Sequence, residues 1–125
     1  MDTRLKSEAR RAAEHLGAHA ESRAVTALEA RGWVVLDRRA RTALGELDLV
    51  AEREGLLAFI EVKARPSLEE AAFALSPRQK ARIMAAAEAW LTAHPGHGSA
   101  GMRFDVILVA PTGLRRIRDA FRGWD

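Results

Sequence analysis

The chain reads as an α/β fold, with one mixed sheet covered by helices on both faces. Its most strand-like runs, Leu44 to Ala51, Leu56 to Val62 and Arg103 to Ala110, are apolar on both alternating faces. Strands of that kind need a helical layer on each side. The runs also follow and flank helix-forming stretches, giving the order helix, three strands, helix, then one or two strands. No internal repeat, linker or low-complexity stretch interrupts this order.

The first element is one long helix from about Leu5 to Ala30, free of proline and closed at Arg31-Gly32, where Gly32 suits a left-handed C-cap. Trp33 to Asp37 is short and β-branched and reads as a strand, followed by a polar loop over Arg38 to Thr42. Leu44 to Ala51 and Leu56 to Val62 form a β-hairpin around Glu52-Arg53-Glu54-Gly55. Pro66-Ser67 ends it, and Leu68 to Leu75 has no clear period.

Ser76-Pro77-Arg78-Gln79 carries the marks of a helix start: serine as N-cap, proline in the first helical position and glutamine as capping-box partner. Ile83, Ala87, Trp90 and Leu91 recur at helical spacing until His94-Pro95-Gly96 stops the helix after about Thr92. Gly98 to Gly101 is a loop. Arg103 to Ala110 is a strand, and Pro111-Thr112-Gly113 turns it towards a last short strand over Leu114 to Arg118.

With 125 residues, 48% of them hydrophobic, the expectation is a single domain over residues 1–125. The absence of cysteine rules out disulfides and thiolate metal ligands, so any cation must use oxygen or imidazole donors. Met1-Asp2-Thr3-Arg4-Leu5-Lys6 leads into charges and alanines, not an apolar stretch, so no membrane partner and a cytoplasmic location are the expectation. The net charge is +3 and the pI about 10.2, because arginine supplies most of the positive charge. An Arg-rich surface suits phosphate, although genomic base composition explains the same bias.

The chemistry lies in the hairpin, where Glu46, Asp48, Glu61 and Lys63 interrupt strands that are otherwise almost wholly apolar. A two-residue loop at Glu54-Gly55 pairs Arg53 with Leu56, sets Asp48 against Glu61 and Glu46 against Lys63, and points all four from one face. A three-residue loop or a bulge would separate them. Two adjacent carboxylates repel unless a cation lies between them. Asp48, Glu61 and the Val62 carbonyl are therefore candidate ligands of a divalent metal, with Lys63 beside the bound water, a set suited to phosphodiester hydrolysis. The competing reading is structural, above all a Glu46–Lys63 salt bridge.

Glu21 shares the apolar face of the first helix with Gly17, Ala24, Val25 and Leu28, so it reaches either the metal or a neighbouring arginine. Lys80, on the face of Ile83 and Ala87, flanks the site or is solvated. Arg38, Arg39 and Arg41 lie in the run entering the strand of Asp48 and are candidate phosphate contacts, unless they pair with acids such as Asp37. His15 and His19 have a metal-ligating spacing on a helix, but no third ligand is fixed nearby, and His94 and His97 sit in a glycine-proline loop.

Gly17 to Leu28, Gly45 to Ala51, Phe59 to Arg65 and Arg103 to Ile107 together resemble the YraN-like family of small bacterial proteins. That family is related to archaeal Holliday-junction resolvases and other restriction-endonuclease-like, or PD-(D/E)XK, nucleases. The resemblance implies a three-layer core with a mixed central sheet flanked by helices. It also implies Mg²⁺ or Mn²⁺ as cofactor, DNA, including branched DNA, as substrate, and Glu21, Asp48, Glu61 and Lys63 in the active site. Ala20 replaces a usual glycine, Leu47 a common isoleucine, and the proline of the superfamily name is missing. The leading expectation is a Mg²⁺-dependent endodeoxyribonuclease. A homodimer suits it, because a twofold axis pairs two sites for two strands. The alternative is a non-catalytic nucleic-acid-binding or scaffold protein that keeps the fold.

Overall fold

The structure is a computed structural model and describes residues 19–68 and 75–121. The expected helix from Leu5 to residue 18, His15, and most of the Leu68 to Leu75 segment lie outside them. The described chain is α/β, with a five-stranded mixed sheet and two helices, compatible with a restriction-endonuclease-like core.

Helix α1 is described over residues 19–30. It ends as the sequence predicts: Gly32 takes φ +86°, its N–H bonds the Glu29 carbonyl at 3.1 Å, and the Trp33 N–H reaches back to the Leu28 carbonyl at 3.1 Å. These two bonds and the joint burial of Leu28 and Trp33 make a Schellman cap, which fixes where the chain enters the sheet.

The strands are β1 (Val34–Thr42), β2 (Gly45–Arg53), β3 (Leu56–Ala64), β4 (Met102–Ala110) and β5 (Gly113–Phe121), in the spatial order β1-β2-β3-β4-β5. All neighbours are antiparallel except β3 and β4, which run parallel with helix α2 (Pro77–Ala93) in the crossover between them. Two elements differ from expectation. Arg38 to Thr42 is strand and not loop, because β1 is an edge strand whose polar side chains can face water while its backbone pairs with β2. The last strand runs on to Phe121, whose ring stacks on Phe104 with centroids 4.7 Å apart.

Two apolar clusters sandwich the sheet. Under α2, Ile83, Ala86, Ala87 and Trp90 pack on Leu47, Val50, Leu57, Phe59, Phe104 and Val106, with Phe59 edge-on to Trp90 at 6.0 Å. Under α1, Ala20, Ala24, Val25 and Leu28 pack on Leu49, Ala51, Ala58, Ile60, Ile107 and Val109. The start of α2 is the predicted capping box: the Gln79 N–H bonds the Ser76 hydroxyl at 3.1 Å, and the Ser76 N–H bonds Gln79 Oε1 at 2.9 Å. Among the described residues no helix is long and apolar enough to cross a membrane.

Candidate metal centre

The hairpin turn is the predicted two-residue one. Glu54 and Gly55 have φ of +53° and +80°, and Arg53 pairs with Leu56. Both positive angles belong to a type I′ turn, whose twist matches that of the strands. The predicted register then holds from that pair to Leu49↔Ile60, where regular pairing of β2 with β3 stops one step short of Asp48 and Glu61.

The ribbon of β1 and β2 is also distorted. Arg39 adopts a left-handed backbone with φ +48°, and the β1–β2 register shifts between Val35↔Ala51 and Asp37↔Val50. Leu47 and Val50 both enter the α2 cluster while Leu49 enters the α1 cluster, so the alternation of faces breaks at Asp48. In place of a ladder bond, Val62 donates its N–H to Asp48 Oδ2 at 2.8 Å. The sequence points to the Val62 carbonyl as a metal donor; in the fold the Val62 amide is the clamp that orients Asp48.

Glu61 and Lys63 alternate with Ala58, Ile60 and Val62 of the α1 cluster, so they belong to the opposite face of β3. Lys63 Nζ lies 3.2 Å from Glu61 Oε1, with both side chains mostly buried. The Asp48 carboxyl is pushed up to about 6, first by burial and next by the negative charge of Glu61. The Val62 N–H works against that rise, while the charge of Glu21 and a hydrogen bond with Glu61 add to it. Asp48, Glu61 and Glu21 are therefore one electrostatic group.

Glu21 is nearly buried and is held by arginine: its Oε2 lies 3.1 Å from Arg39 Nε and its Oε1 3.6 Å from Arg38 Nε. Arg38 also donates to the Ser22 hydroxyl at 3.2 Å. Both alternatives for Glu21 meet here, since it faces Asp48 electrostatically and is paired with arginine. Of the three candidate phosphate contacts, Arg38 and Arg39 are thus engaged with an acid, Glu21, and Arg41 is exposed without an ion pair among the described residues.

The structure does not unite every candidate. Glu46 is exposed and lies opposite Arg41, and Lys63 pairs with Glu61 in its place. Lys80 lies over the Phe121 ring at 5.9 Å, with no ion pair to Asp48 or Glu61. His94 stacks on Trp90 at 4.1 Å and His97 meets Glu52 at 3.1 Å, so both serve structure. Among the described residues no group of three His, Asp or Glu is gathered closely enough to hold a metal ion. The donors that do converge, the carboxylates of Asp48 and Glu61, fit a hard dication in chemistry, since a cation would relieve the repulsion that raises Asp48.

Asp105 carries no role in the sequence reading, yet it is the most buried charge described, at 1% exposure. It accepts from Arg116 Nη2 at 2.7 Å and pairs with Arg103 Nε at 3.1 Å. Arg53, Arg103 and Arg116 then surround the Trp33 ring at 4.7, 5.3 and 4.8 Å. The signal that could have found it is an aspartate inside the apolar run Phe104 to Ala110.

Residues 20–109, which hold the whole hairpin and its partners, match the profile of the uncharacterised protein family UPF0102. This chain belongs to UPF0102, the YraN family. It is 56% identical over 113 residues to a UPF0102 protein of Granulibacter bethesdensis, covering 86% of this chain and 72% of the relative. A Bradyrhizobium UPF0102 protein is 54% identical, covering 88% of this chain and 78% of that protein. A Rhodopseudomonas palustris UPF0102 protein is 52% identical, covering 90% and 88%. The UPF0102 match bears out the resemblance read from the sequence motifs and takes in Glu21, Asp48, Glu61 and Lys63.

Proposed function

We propose that this UPF0102 protein is a metal-dependent endonuclease that hydrolyses DNA phosphodiester bonds, branched DNA included. The observation that carries the reading is the close pair of Asp48 and Glu61, charged against each other at the point where the β2–β3 ladder opens, with Lys63 on Glu61. Asp48 and Glu61 would hold Mg²⁺ or Mn²⁺, with Glu21 beside them and the Val62 carbonyl as a further donor. When bound, such an ion supplies Lewis-acid stabilisation of phosphoryl charge and acidifies water.

The chain's own groups divide the remaining work. The Val62 N–H fixes the rotamer of Asp48, so one carboxylate is oriented before any ligand arrives. Glu61 anchors the Lys63 ammonium at 3.2 Å, where it orients the attacking water and balances charge in the transition state.

The test is cleavage of single-stranded, duplex, flap and four-way-junction DNA with Mg²⁺ or Mn²⁺. Wild type should cut at least one form and Glu61→Gln none, because an amide binds a hard dication far more weakly than a carboxylate. Lys63→Ala should lower turnover and leave metal affinity, read by calorimetry, largely intact. Cleavage by Glu61→Gln within a few-fold of wild type would sink the proposal.

A second reading, a non-catalytic nucleic-acid-binding or scaffold protein, is favoured by one observation: the third carboxylate, Glu21, is already neutralised by Arg38 and Arg39. Calorimetric titration of Mn²⁺ separates the readings, since a scaffold has no need to bind it.

The arginines give a prediction that holds under either reading. Replacing Arg38, Arg39 and Arg41 with alanine should flatten the slope of log K against log salt by about 0.9 for each phosphate of duplex DNA no longer neutralised. Since Arg38 and Arg39 are bound to Glu21, most of the change should already appear in Arg41→Ala alone. An unaltered slope in the triple variant would mean that these arginines serve only structure.

A further inference from the structure

We propose that Arg31, Arg116 and Arg118 form a phosphate-binding site on the α1 side of the sheet, independent of the Asp48–Glu61 pair. A cavity of about 340 Å³ lies between the end of α1 and the edge strand β5, with these three arginines around a floor of Leu28, Ile107 and Leu114. Arg31 comes from the C-cap of α1, and Arg116 and Arg118 project from alternate positions of β5. The β4–β5 register shifts between Phe104↔Phe121 and Val106↔Ile117, so Arg118 stands where the ladder is interrupted. Irregularities of this kind re-aim side chains at sheet edges.

Among the described residues the charges here do not cancel. Asp105 is shared by Arg103 and Arg116, one carboxylate against two guanidinium groups. Arg31 and Arg118 have no ion pair among the described residues, and both are exposed. Arg116 directs Nε and Nη2 at Asp105, and its Nη1 is buried with no hydrogen-bond partner among the described residues. A buried cationic donor left without an acceptor is costly, and an oxyanion would satisfy it.

Phosphate is the anion that suits this set. Guanidinium groups present flat forks that match tetrahedral phosphate oxygens in pairs, and those of Arg31 and Arg118 line one cavity from two elements, together with Arg116. The apolar floor of Leu28, Ile107 and Leu114 gives the sugar or base attached to that phosphate a surface to lie on. A carboxylate ligand would use the forks but leave that floor bare. The phosphate therefore belongs either to a free nucleotide or to a nucleic-acid strand.

The experiment measures binding of AMP, inorganic phosphate and a short single-stranded oligonucleotide to the full chain by calorimetry, with EDTA present so that no divalent ion contributes. Arg31→Ala and Arg118→Ala remove exposed side chains and should fold normally, as thermal melting will verify. Arg78→Ala, an exposed arginine on α2, is the control for general loss of charge. Removing one charge-assisted hydrogen bond to the phosphate should weaken binding about tenfold.

If AMP binds, inorganic phosphate competes with it, and both single variants weaken it, the source is a free phosphate ester. If only the oligonucleotide binds, and it weakens in Arg31→Ala and Arg118→Ala but not in Arg78→Ala, the source is a strand phosphate. The proposal is overturned if no probe binds, if the two variants bind as wild type does, or if Arg78→Ala weakens binding as much as they do.

Discussion

Asp48→Asn is expected to make the metal-free protein more stable at pH 7 and to abolish the Mn²⁺ binding proposed for this site. In the folded chain burial and the charge of Glu61 raise the Asp48 carboxyl to about 6, from an ordinary aspartate value of 3.8. The folded state therefore holds a proton that the unfolded state has released in the interval between those values. Stability falls as pH rises through that interval, and the cost is full above about pH 6. A shift of this size corresponds to at most about 3 kcal/mol.

Asparagine removes the charge and keeps an oxygen for the Val62 N–H, so the clamp survives. Urea denaturation in EDTA should show the variant gaining about 2 to 3 kcal/mol at pH 7 and nearly nothing at pH 4. A variant less stable than wild type at pH 7 would mean that Asp48 is a structural carboxylate, satisfied where it stands. Loss of metal binding together with a gain in stability is the signature of a group kept for function.

Asp105→Asn should have the opposite effect. Its carboxylate is fully buried and is the shared partner of Arg103 and Arg116, whose side chains are 19% and 12% exposed. Taking away that one charge leaves two guanidinium groups facing each other beside Trp33. Burial already holds the Arg116 guanidinium below its ordinary range, and only Asp105 opposes that effect. Breaking a buried ion pair by removing one partner costs about 3 to 5 kcal/mol. Chemical denaturation at pH 7 measures it, and a loss under about 1 kcal/mol would show that water or another acceptor replaces the carboxylate.

The two aspartates have similar sequence settings and opposite roles. Each interrupts an apolar strand, and composition alone does not separate them. What separates them is the neighbouring charge: Asp48 meets the carboxylate of Glu61, and Asp105 meets Arg103 on its own strand and Arg116 on β5.

Local chemistry is what the sequence determined unaided. Ser76-Pro77 and Gln79 fix the start of α2, Gly32 fixes the end of α1, and Glu54-Gly55 fixes the hairpin turn and through it the register from Arg53↔Leu56 to Leu49↔Ile60. Each of these rests on contacts between residues close along the chain, so the signal lies within a short window. The two-sided apolar strands likewise required helices on both faces, and the two clusters under α1 and α2 are there.

Tertiary structure decided the rest. The left-handed turn at Arg39 and the break in alternation at Asp48 are a strain shared by two strands, and no window of one strand contains it. The pairing of Glu21 with Arg38 and Arg39 joins a helix to a strand 17 and 18 positions away, and backbone pairing with β2 makes the polar run an edge strand where its composition predicts a loop. Lys63 pairs with Glu61 on its own strand and not with Glu46, because the β2–β3 ladder ends before Glu46 can come opposite. Charge pairing depends on which side chains the folded backbone brings within a few ångströms, and residue types in sequence order do not contain that distance.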